Sequence, residues 1–193
     1  MHKEELRFFN NLSILIQLGR PICSSLENLR AGCTDPSLYP AYDAMIECAR
    51  KGGDFTSVLA DYPAICSRTS LALLKAARRC NSLAVFLPKL AALVRARAEG
   101  ELDPRERFFA TWALFVEAGF TVAESLAEMR HDFSHGPLAE VAEGLHSAAV
   151  AGKSLAEAAE RFPEVFSASA RDLLLYGESR DLARALRAVP QLL

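Results

Sequence analysis

The sequence predicts an all-α protein made of two tandem six-helix antiparallel bundles related by internal duplication. Three observations support this fold class. Ala, Leu, Arg and Glu, which favour helices, dominate the chain, whereas Gly and Pro supply only 10 and 9 of its 193 residues. No stretch alternates apolar and polar residues long enough to indicate a strand. The stretch from Gly52 to Arg78 also returns, with few shared letters, from Gly152 to Glu178, as expected of a duplicated unit.

A shift of 100 positions aligns the two halves without a gap over most of their length. The matched positions are mainly apolar core residues and turn residues: Arg7-Phe8-Phe9 with Arg107-Phe108-Phe109, Gly19 with Gly119, Ser25-Leu26 with Ser125-Leu126, Leu38 with Leu138, Gly52 with Gly152, Pro63 with Pro163, and Leu73-Leu74 with Leu173-Leu174. We therefore predict a first helical domain at residues 1–98 and a second at 103–193. The second is expected to start at Asp103-Pro104, after a short polar linker.

The first two helices of each domain are predicted from apolar stripes and turn residues. Around residues 6–18 apolar side chains cover most of a helix circumference, which indicates a helix buried between others. Gly19, like its counterpart 100 positions later, stands where a helix end needs a left-handed residue. Pro21 then fits the first turn of the second helix, and Thr121 with Glu124 predicts a capping box.

The remaining four helices follow from similar signals. The third is predicted at residues 37–50 and 137–150, and each copy is followed by a glycine. Ser154 and Glu157 predict a capping box at the start of a short fourth helix, which ends before Pro63 or Pro163. Ser67 and its counterpart Ser167 can cap the fifth helix. The sixth is predicted from Leu83 into the Arg95/Arg97 region and from Leu182 to the C-terminus.

Charge argues against nucleic acid as a partner. The net charge is −2, so no general basic field is present. Residues 1–100 hold 13 Lys/Arg against 9 Asp/Glu, a net of +4, and residues 101–193 hold 9 against 15, a net of −6. Opposite charges of this kind can help two units pack or two chains associate head to tail, so a homo-oligomer is possible. A solvated surface with no partner explains them equally well.

The termini and the cysteines predict a cytosolic protein without a membrane span. The start, MHKEELRFFNN, lacks the pattern of a signal peptide, and no apolar run approaches the ~20 residues that a spanning helix needs. All five cysteines lie in the first half, and no two of them form a C-x-x-C pair. We interpret them as reduced, mostly buried thiols.

Few residues point to chemistry, and we predict no catalytic residue, metal or cofactor. His131 and His135 are four apart, as two metal ligands on one helix face would be, but Gly136-Pro137 places His135 in a loop, so solvated histidines are the preferred reading. A Cys–His catalytic pair would have to form between the two halves. The basic residues Arg95, Arg97, Arg105 and Arg107 alternate with acidic ones and read as a solvated linker rather than a lipid-binding patch.

The end of the fifth helix is the candidate partner-binding site. Arg78 and Arg79 in the first copy, and Glu178 and Arg180 in the second, stand at this helix end. Because the aligned position changes from Arg78 to Glu178, it suits a surface residue better than a buried ion pair. Two roles remain open for it: a contact with a partner, or a cap on the neighbouring helix.

The order of these motifs resembles a known family. Phe-Phe in the first helix, a Gly about ten residues later, Ser-Leu, G-[GK]-x-[FL], [YF]-P-x-[IV]-[CF]-S and finally Gly177-Glu178-Ser179-Arg180-Asp181-Leu182 together resemble the cytoplasmic domain of the F-type platform proteins of bacterial type II secretion and type IV pilus assembly. The first copy departs from this pattern with Ala77-Arg78 in place of Gly-Glu. The second has a turn one residue shorter before Leu182. Family members place a transmembrane helix after each domain, and this sequence has a charged linker instead.

The resemblance implies two copies of a six-helix domain and a non-enzymatic scaffold that binds other proteins. The implied partner is a secretion or pilus assembly ATPase or another inner-membrane platform component. The implied location is the cytoplasm or, as a peripheral protein, the inner membrane. Two other interpretations stay open at this point: a helical-repeat enzyme or ligand-binding bundle that uses Cys and His, and a general helical scaffold unrelated to secretion.

Overall fold

The computed structural model describes residues 3–192, so the predicted domain limits at residues 1 and 193 lie outside its described part. The described residues form α-helices and 3₁₀ helices, and no strand occurs among them. Contacts divide the chain into two compact units, unit 1 ending at Glu99 and unit 2 beginning at Gly100. The prediction of an all-α, duplicated fold is confirmed.

Unit 1 contains five α-helices and two 3₁₀ helices within its described residues. They are α1 (Lys3–Gln17), α2 (Ile22–Ala31), a 3₁₀ helix (Pro36–Leu38), α3 (Tyr39–Arg50), a second 3₁₀ helix (Phe55–Asp61), α4 (Arg68–Arg79) and α5 (Leu83–Glu99). Helix α1 packs mainly on α5 and also on α2, while α3 packs on α2 and on the second 3₁₀ helix. Helix α4 packs on α5. The first and last helices of the unit are therefore neighbours.

Unit 2 repeats this arrangement. Its elements are α6 (Pro104–Glu117), α7 (Val122–Asp132), α8 (Pro137–Val150), α9 (Leu155–Ala159), α10 (Ala168–Ser179), α11 (Leu182–Ala188) and a 3₁₀ helix (Val189–Leu192). Helix α6 packs on α11 and α7, α7 packs on α8, and α10 packs on α9 and α11. The offset of 100 holds up to α10. It becomes 99 at α11, because the turn before that helix is one residue shorter.

Apolar residues at aligned positions form the two cores. The following pairs are buried in both units: Phe8 and Phe108, Phe9 and Phe109, Leu12 and Trp112, Leu26 and Leu126, Met45 and Leu145, Ile65 and Val165, and Leu74 and Leu174. In each unit the two adjacent phenylalanine rings meet edge to face, with centroids 5.2 Å apart in α1 and 5.4 Å apart in α6. The match differs at Leu73, which is fully buried, whereas Leu173 is half-buried.

Helix ends confirm most of the predicted turns. Gly19 and Gly119 have φ of +75° and +86°, in the region that favours glycine. Thr121 and Glu124 form the predicted capping box of α7. Asp103 caps α6, the first helix of unit 2, and forms a further capping box with Glu106. The serine caps of α4 and α10 are also present.

Three local predictions need correction. The fourth helix of unit 1 is a 3₁₀ helix, since Asp54 caps it through an Asx-type turn to Thr56. Pro21 is the N-cap of α2 and not a residue of its first turn. Ser154 caps α9 as expected, but the carboxylate at this helix start comes from Glu178 and not from Glu157.

None of the helices formed by residues 3–192 combines the length and the hydropathy that a membrane crossing requires.

Candidate partner-binding site

A groove at one end of unit 2 contains the predicted residue Glu178. We call it the α10-end groove. It has a volume of about 370 Å³, and its lining residues come from the start of α7, the end of α8, the following turn, and the ends of α9, α10 and α11 that face it: Thr121, Val122, Ala123, Ala149, Gly152, Lys153, Leu155, Glu178 and Leu182. Its walls are largely apolar, with one carboxylate and one ammonium group. A concave surface of this kind can accept an apolar side chain beside a polar one.

Glu178 ties the end of α10 to the start of α9. One carboxylate oxygen accepts a hydrogen bond from Ser154 Oγ at 2.8 Å, and the other accepts one from the Leu155 N–H at 2.5 Å. The Leu155 N–H is one of the first amides of α9, which have no partner within their own helix. The predicted alternative of a cap on the neighbouring helix is therefore present in the structure.

The aligned position in unit 1 makes a corresponding contact, but as an ion pair. Arg78 forms an ion pair with Asp54, donates a hydrogen bond to the Gly53 carbonyl at 3.3 Å and lies over the Phe55 ring at 5.7 Å from its centroid. Burial raises the pKa of Asp54, but hydrogen bonds from Thr56 and the charge of Arg78 outweigh it and hold that pKa below its ordinary value. Where unit 1 has Asp54 with Arg78, unit 2 has Ser154 with Glu178.

The other two predicted residues, Arg79 and Arg180, are both exposed. Arg79 ends α4, and Arg180 follows α10, where its guanidinium lies 5.2 Å from the centre of the Tyr176 ring. Tyr176 itself is 58% exposed. Each predicted pair thus combines one residue with an internal structural contact and one that faces solvent. Arg78 and Arg79 belong to unit 1, and Glu178 and Arg180 to unit 2.

Gly177 determines how closely α10 and α11 approach at this end. It is buried, and a Cβ atom there would lie 2.5 Å from Ala185 Cβ and 3.3 Å from Leu182 Cα. In unit 1 the aligned residue is Ala77, and the following turn is one residue longer, with Asn81 at φ +50°. The unit with the shorter turn is therefore the one that has glycine at this position.

The histidines His131 and His135 lie in unit 2, whereas the cysteines lie in unit 1. His131 lies in the last turn of α7 and His135 in the following loop, so the two do not share a helix face. Within residues 3–192, no three His, Cys, Asp or Glu side chains come together as metal ligands would. Burial, together with the nearby Glu5 charge, raises the pKa of Cys66 well above its ordinary value, which makes it a poor nucleophile. Cys33 is also buried, but Cys23 and Cys48 are half-buried and Cys80 is exposed, so the expectation of buried thiols holds for two of the five.

Two polar networks in unit 1 were not predicted. Arg7 donates to both oxygens of Glu4, at 2.9 and 2.6 Å, and to the Tyr42 hydroxyl at 3.0 Å, while Tyr42 donates to Glu4 at 2.7 Å. On the next residue, the Glu5 carboxylate accepts from the Ser67 N–H at 2.9 Å and pairs with Arg97.

Only one member of the second network, Glu5, carries a signal in the sequence. Glu5 stands three and four residues before Phe8 and Phe9, on the apolar stripe of α1, which is a signal for a buried carboxylate. Its partner Arg97 is 92 residues away, and no local pattern connects the two.

Comparison with protein families identifies both units. The family model described as "Type II secretion system (T2SS), protein F" matches residues 8–107 and again residues 108–192. A comparison with curated proteins gives no match. The two matches follow each other along the chain, as do the two structural units, and together they cover nearly all of it. The chain therefore belongs to the type II secretion system protein F family, with two copies of the family domain in tandem.

Proposed function

We propose that the protein is a non-enzymatic docking module of a type II secretion or type IV pilus assembly machine. The observation that carries the proposal is the double match to the protein F family, which implies a platform role. The partner is proposed to be an assembly ATPase or another inner-membrane platform component, and the place of action the cytoplasmic side of the inner membrane. No observation favours a Cys/His enzyme: the described residues hold no cluster of three or more metal-ligand side chains, and the cysteines lie in unit 1 while His131, His135 and His146 lie in unit 2.

We further propose that the partner contacts the ends of α4 and α10, through Arg78, Arg79, Glu178 and Arg180. Support comes from the α10-end groove, which is bounded by Glu178, and from the exposed guanidinium groups of Arg79 and Arg180. Arginine is enriched in protein interfaces, and a guanidinium that stacks on an exposed tyrosine is held in place before binding. Glu178 contributes by tying the end of α10 to the start of α9, which borders the groove, and Arg78 makes the corresponding contact with Gly53 and Asp54 in unit 1.

The direct test is affinity capture with the full chain. Tagged protein is incubated with detergent-solubilised lysate of its source, and the captured proteins are identified by mass spectrometry. We expect an assembly ATPase or a platform component to be enriched, and we expect the Arg79→Glu/Arg180→Glu double variant to capture at least fivefold less of it. Neither arginine is required for the core, so both proteins should unfold at the same temperature.

Arg105→Glu is the matched control, because Arg105 is an equally exposed arginine in the first turn of α6. It should capture as much partner as the wild type. If no component of such a machine is enriched from either the soluble or the membrane fraction, the docking function is wrong. If the double variant captures as much as the wild type, the function stands but the ends of α4 and α10 are not where the partner binds.

A second copy of the chain is the other partner to consider, because the halves carry net charges of +4 and −6. Sedimentation at low and high salt distinguishes the two cases. An oligomer that dissociates as salt rises would support charge-driven self-association, and a monomer under both conditions would exclude it.

A further inference from the structure

A second concave surface of unit 2 adjoins the α10-end groove. This cleft, which we call the α8–α9 cleft, has a volume of about 290 Å³ and is lined by residues of the two helices and their connections: Gly144, Ser147, Ala148, Ala151, Lys153, Ser154, Glu157, Ala158 and Arg161. Gly144 and Ala148, four residues apart in α8, and Ala151, which directly follows the helix, are small residues of this lining. Gly144 is needed there, because a Cβ atom would lie 2.6 Å from the ring of Phe162.

Two cations of the cleft have no internal partner. Lys153 and Arg161 are exposed, and neither side chain forms an ion pair or a hydrogen bond with any other residue between 3 and 192. One carboxylate, Glu157, also lines the cleft, so its lining carries a net charge of +1. This local positive charge contrasts with the net −6 of residues 101–193.

Unit 1 provides an internal reference for the cleft. At the positions aligned with Ser147, Lys153 and Arg161 it has Glu47, Gly53 and Asp61. The nine aligned positions in unit 1 contain three acidic residues and one basic residue, a net charge of −2: Glu47, Lys51, Asp54 and Asp61. Two of these acidic residues are already paired, Glu47 with Lys51 at 2.5 Å and Asp54 with Arg78.

The local charge therefore changes against the trend of the whole unit. Residues 101–193 have a net charge of −6, which is more acidic than the +4 of residues 1–100. The nine cleft positions change in the opposite direction, from a net charge of −2 in unit 1 to +1 in unit 2. The change in net charge of the whole unit therefore does not explain why two cations line this one cleft. An anionic ligand does, because guanidinium and ammonium groups that lack internal partners can pair with a carboxylate.

The cleft and the groove share one residue. Lys153 lines both, since both flank the turn that connects α8 with α9. A segment lying across this turn can therefore place a carboxylate against Lys153 and Arg161 and an adjacent apolar side chain in the α10-end groove. The groove offers suitable walls in Val122, Leu155 and Leu182.

We propose that the α8–α9 cleft binds a carboxylate of an acidic segment of the protein partner, with a neighbouring apolar residue of that segment in the α10-end groove. The proposal rests on the proposed function, because it names the chemistry of the partner that the module docks. Both cations are solvated, so each contributes modestly. An exposed ion pair of up to ~1 kcal/mol corresponds to at most about fivefold in affinity for each cation.

The experiment uses the full chain labelled with ¹⁵N and a blocked peptide, Ac-GLEELG-NH₂. Its matched peptide, Ac-GLQQLG-NH₂, lacks the charges, and inorganic phosphate is the third probe. We expect the acidic peptide to shift the amide signals of Gly144, Ser147, Lys153 and Arg161. The Lys153→Gln/Arg161→Gln variant should bind it at least tenfold more weakly. Arg20→Gln/Arg105→Gln is the control, because it removes the same charge from two other exposed arginines, and it should bind as the wild type does.

The other results would overturn the proposal. Equal binding of the glutamine peptide means that the cations do not recognise a carboxylate. Equal shifts with phosphate at the same concentration mean a general anion site and not one for an acidic segment. Absence of shifts in the cleft excludes binding there.

Capture from lysate separates this proposal from the function it rests on. If the wild type captures no platform component but the acidic peptide still binds the cleft, the docking function fails and the ligand chemistry stands. If platform components are captured equally by the wild type and by Lys153→Gln/Arg161→Gln, docking stands, and the cleft is excluded as the place where the partner binds.

Discussion

Gly177 shows how one residue adapts the second unit to its shorter turn. Between α10 and α11 only two residues, 180 and 181, make the connection, whereas three residues connect α4 and α5 in unit 1. Removing a residue brings the second helix closer to the first. The contact is then so close that a side chain at position 177 would collide with Ala185. In unit 1 the longer turn leaves room for Ala77.

Replacing Gly177 by Ala should destabilise unit 2. Overpacking of a tight helix contact costs typically ~1–3 kcal/mol, which here outweighs the gain of up to ~1 kcal/mol that alanine gives in a helix. Urea unfolding followed by the fluorescence of Trp112 measures the effect, because it is the only tryptophan in the sequence, belongs to unit 2 and is fully buried. The midpoint should fall relative to the wild type.

The reverse change, Ala77→Gly in unit 1, is the matched control. It removes a methyl group where there is room for one and should leave the Trp112 transition unchanged. A Gly177→Ala protein that unfolds at the wild-type urea concentration would show that α10 and α11 can separate at little cost.

At the scale of elements, one contact is preserved while its chemistry changes from an ion pair in unit 1 to hydrogen bonds on a carboxylate in unit 2. The end of α4 or α10 holds the start of the preceding short helix, by Arg78 with Asp54 in unit 1 and by Glu178 with Ser154 in unit 2. Changing only one member of a pair would place Arg beside Ser, or Glu beside Asp. Only the second combination brings like charges together, so Asp beside Glu is the combination that the two units avoid.

Exchanging this pair tests the contact. Glu178→Arg alone should destabilise unit 2 by ~1 kcal/mol, because the Leu155 N–H and Ser154 lose their acceptor. Adding Ser154→Asp rebuilds the pair of unit 1 and should recover most of the loss, again measured by Trp112 fluorescence in urea. If the double variant is no more stable than Glu178→Arg, the two residues are not coupled as the structure indicates.

The Glu5–Arg97 pair fastens α5 to α1 and is a second contact between elements. Both side chains are largely buried, at 3% and 14% exposure, and the pair joins the start of α1 to the end of α5. Burial alone would raise the pKa of Glu5, but the Arg97 charge and the hydrogen bonds from Ser67 lower it below its ordinary value. The carboxylate is thus kept ionised inside the unit.

Removing one partner of this pair should lower the free energy of unfolding of unit 1 more than removing both. Arg97→Met leaves a buried carboxylate without its guanidinium and should destabilise unit 1 by ~3 kcal/mol or more. Glu5→Met/Arg97→Met replaces both charges and should be clearly more stable than the single variant. Native-state hydrogen exchange of the α1 and α5 amides measures both effects, and equal losses in the two variants would contradict this account.

The sequence predicts elements well here and long-range polar contacts poorly. Gly19, Gly119 and the Thr121 cap mark helix ends through local chemistry, so these ends are visible in a few residues. The short fourth helix of unit 1 is less clear, since Asp54 and Thr56 favour a turn that tightens it into a 3₁₀ helix. The Glu178 contact was foreseen as one of two roles, whereas Arg97 reaches Glu5 only because the fold closes the unit.

At the scale of the whole molecule, the two units differ in the carboxylates whose protonation would lower their stability at low pH. Unit 1 holds the carboxylates of Glu4 and Glu5 in networks that keep both pKa values below the ordinary 4.5, despite burial that would raise them. Unit 2 has Pro104 and Arg105 at the aligned positions, and neither can lose a carboxylate charge. The duplication has thus kept the apolar core in both copies and the buried acid groups in one.

We therefore expect unit 1 to lose stability before unit 2 as the pH falls. A carboxyl with a depressed pKa in the folded state stabilises that state fully above its unfolded pKa, and this contribution is lost as the pH falls through the folded pKa. For Glu4 and Glu5 the loss should begin near pH 4.5 and increase below it.

An acid titration of the ¹⁵N-labelled chain follows α1–α5 and α6–α11 separately, with Trp112 fluorescence as a second signal for unit 2. Signals of α1 and α5 should weaken at a higher pH than those of α6 and α11, and Glu5→Met/Arg97→Met should narrow the difference. Two results would contradict this account: unit 2 unfolds at a higher pH than unit 1, or the double variant leaves the difference between the two unfolding pH values unchanged. In either case the Glu5–Arg97 pair does not determine the pH at which unit 1 unfolds.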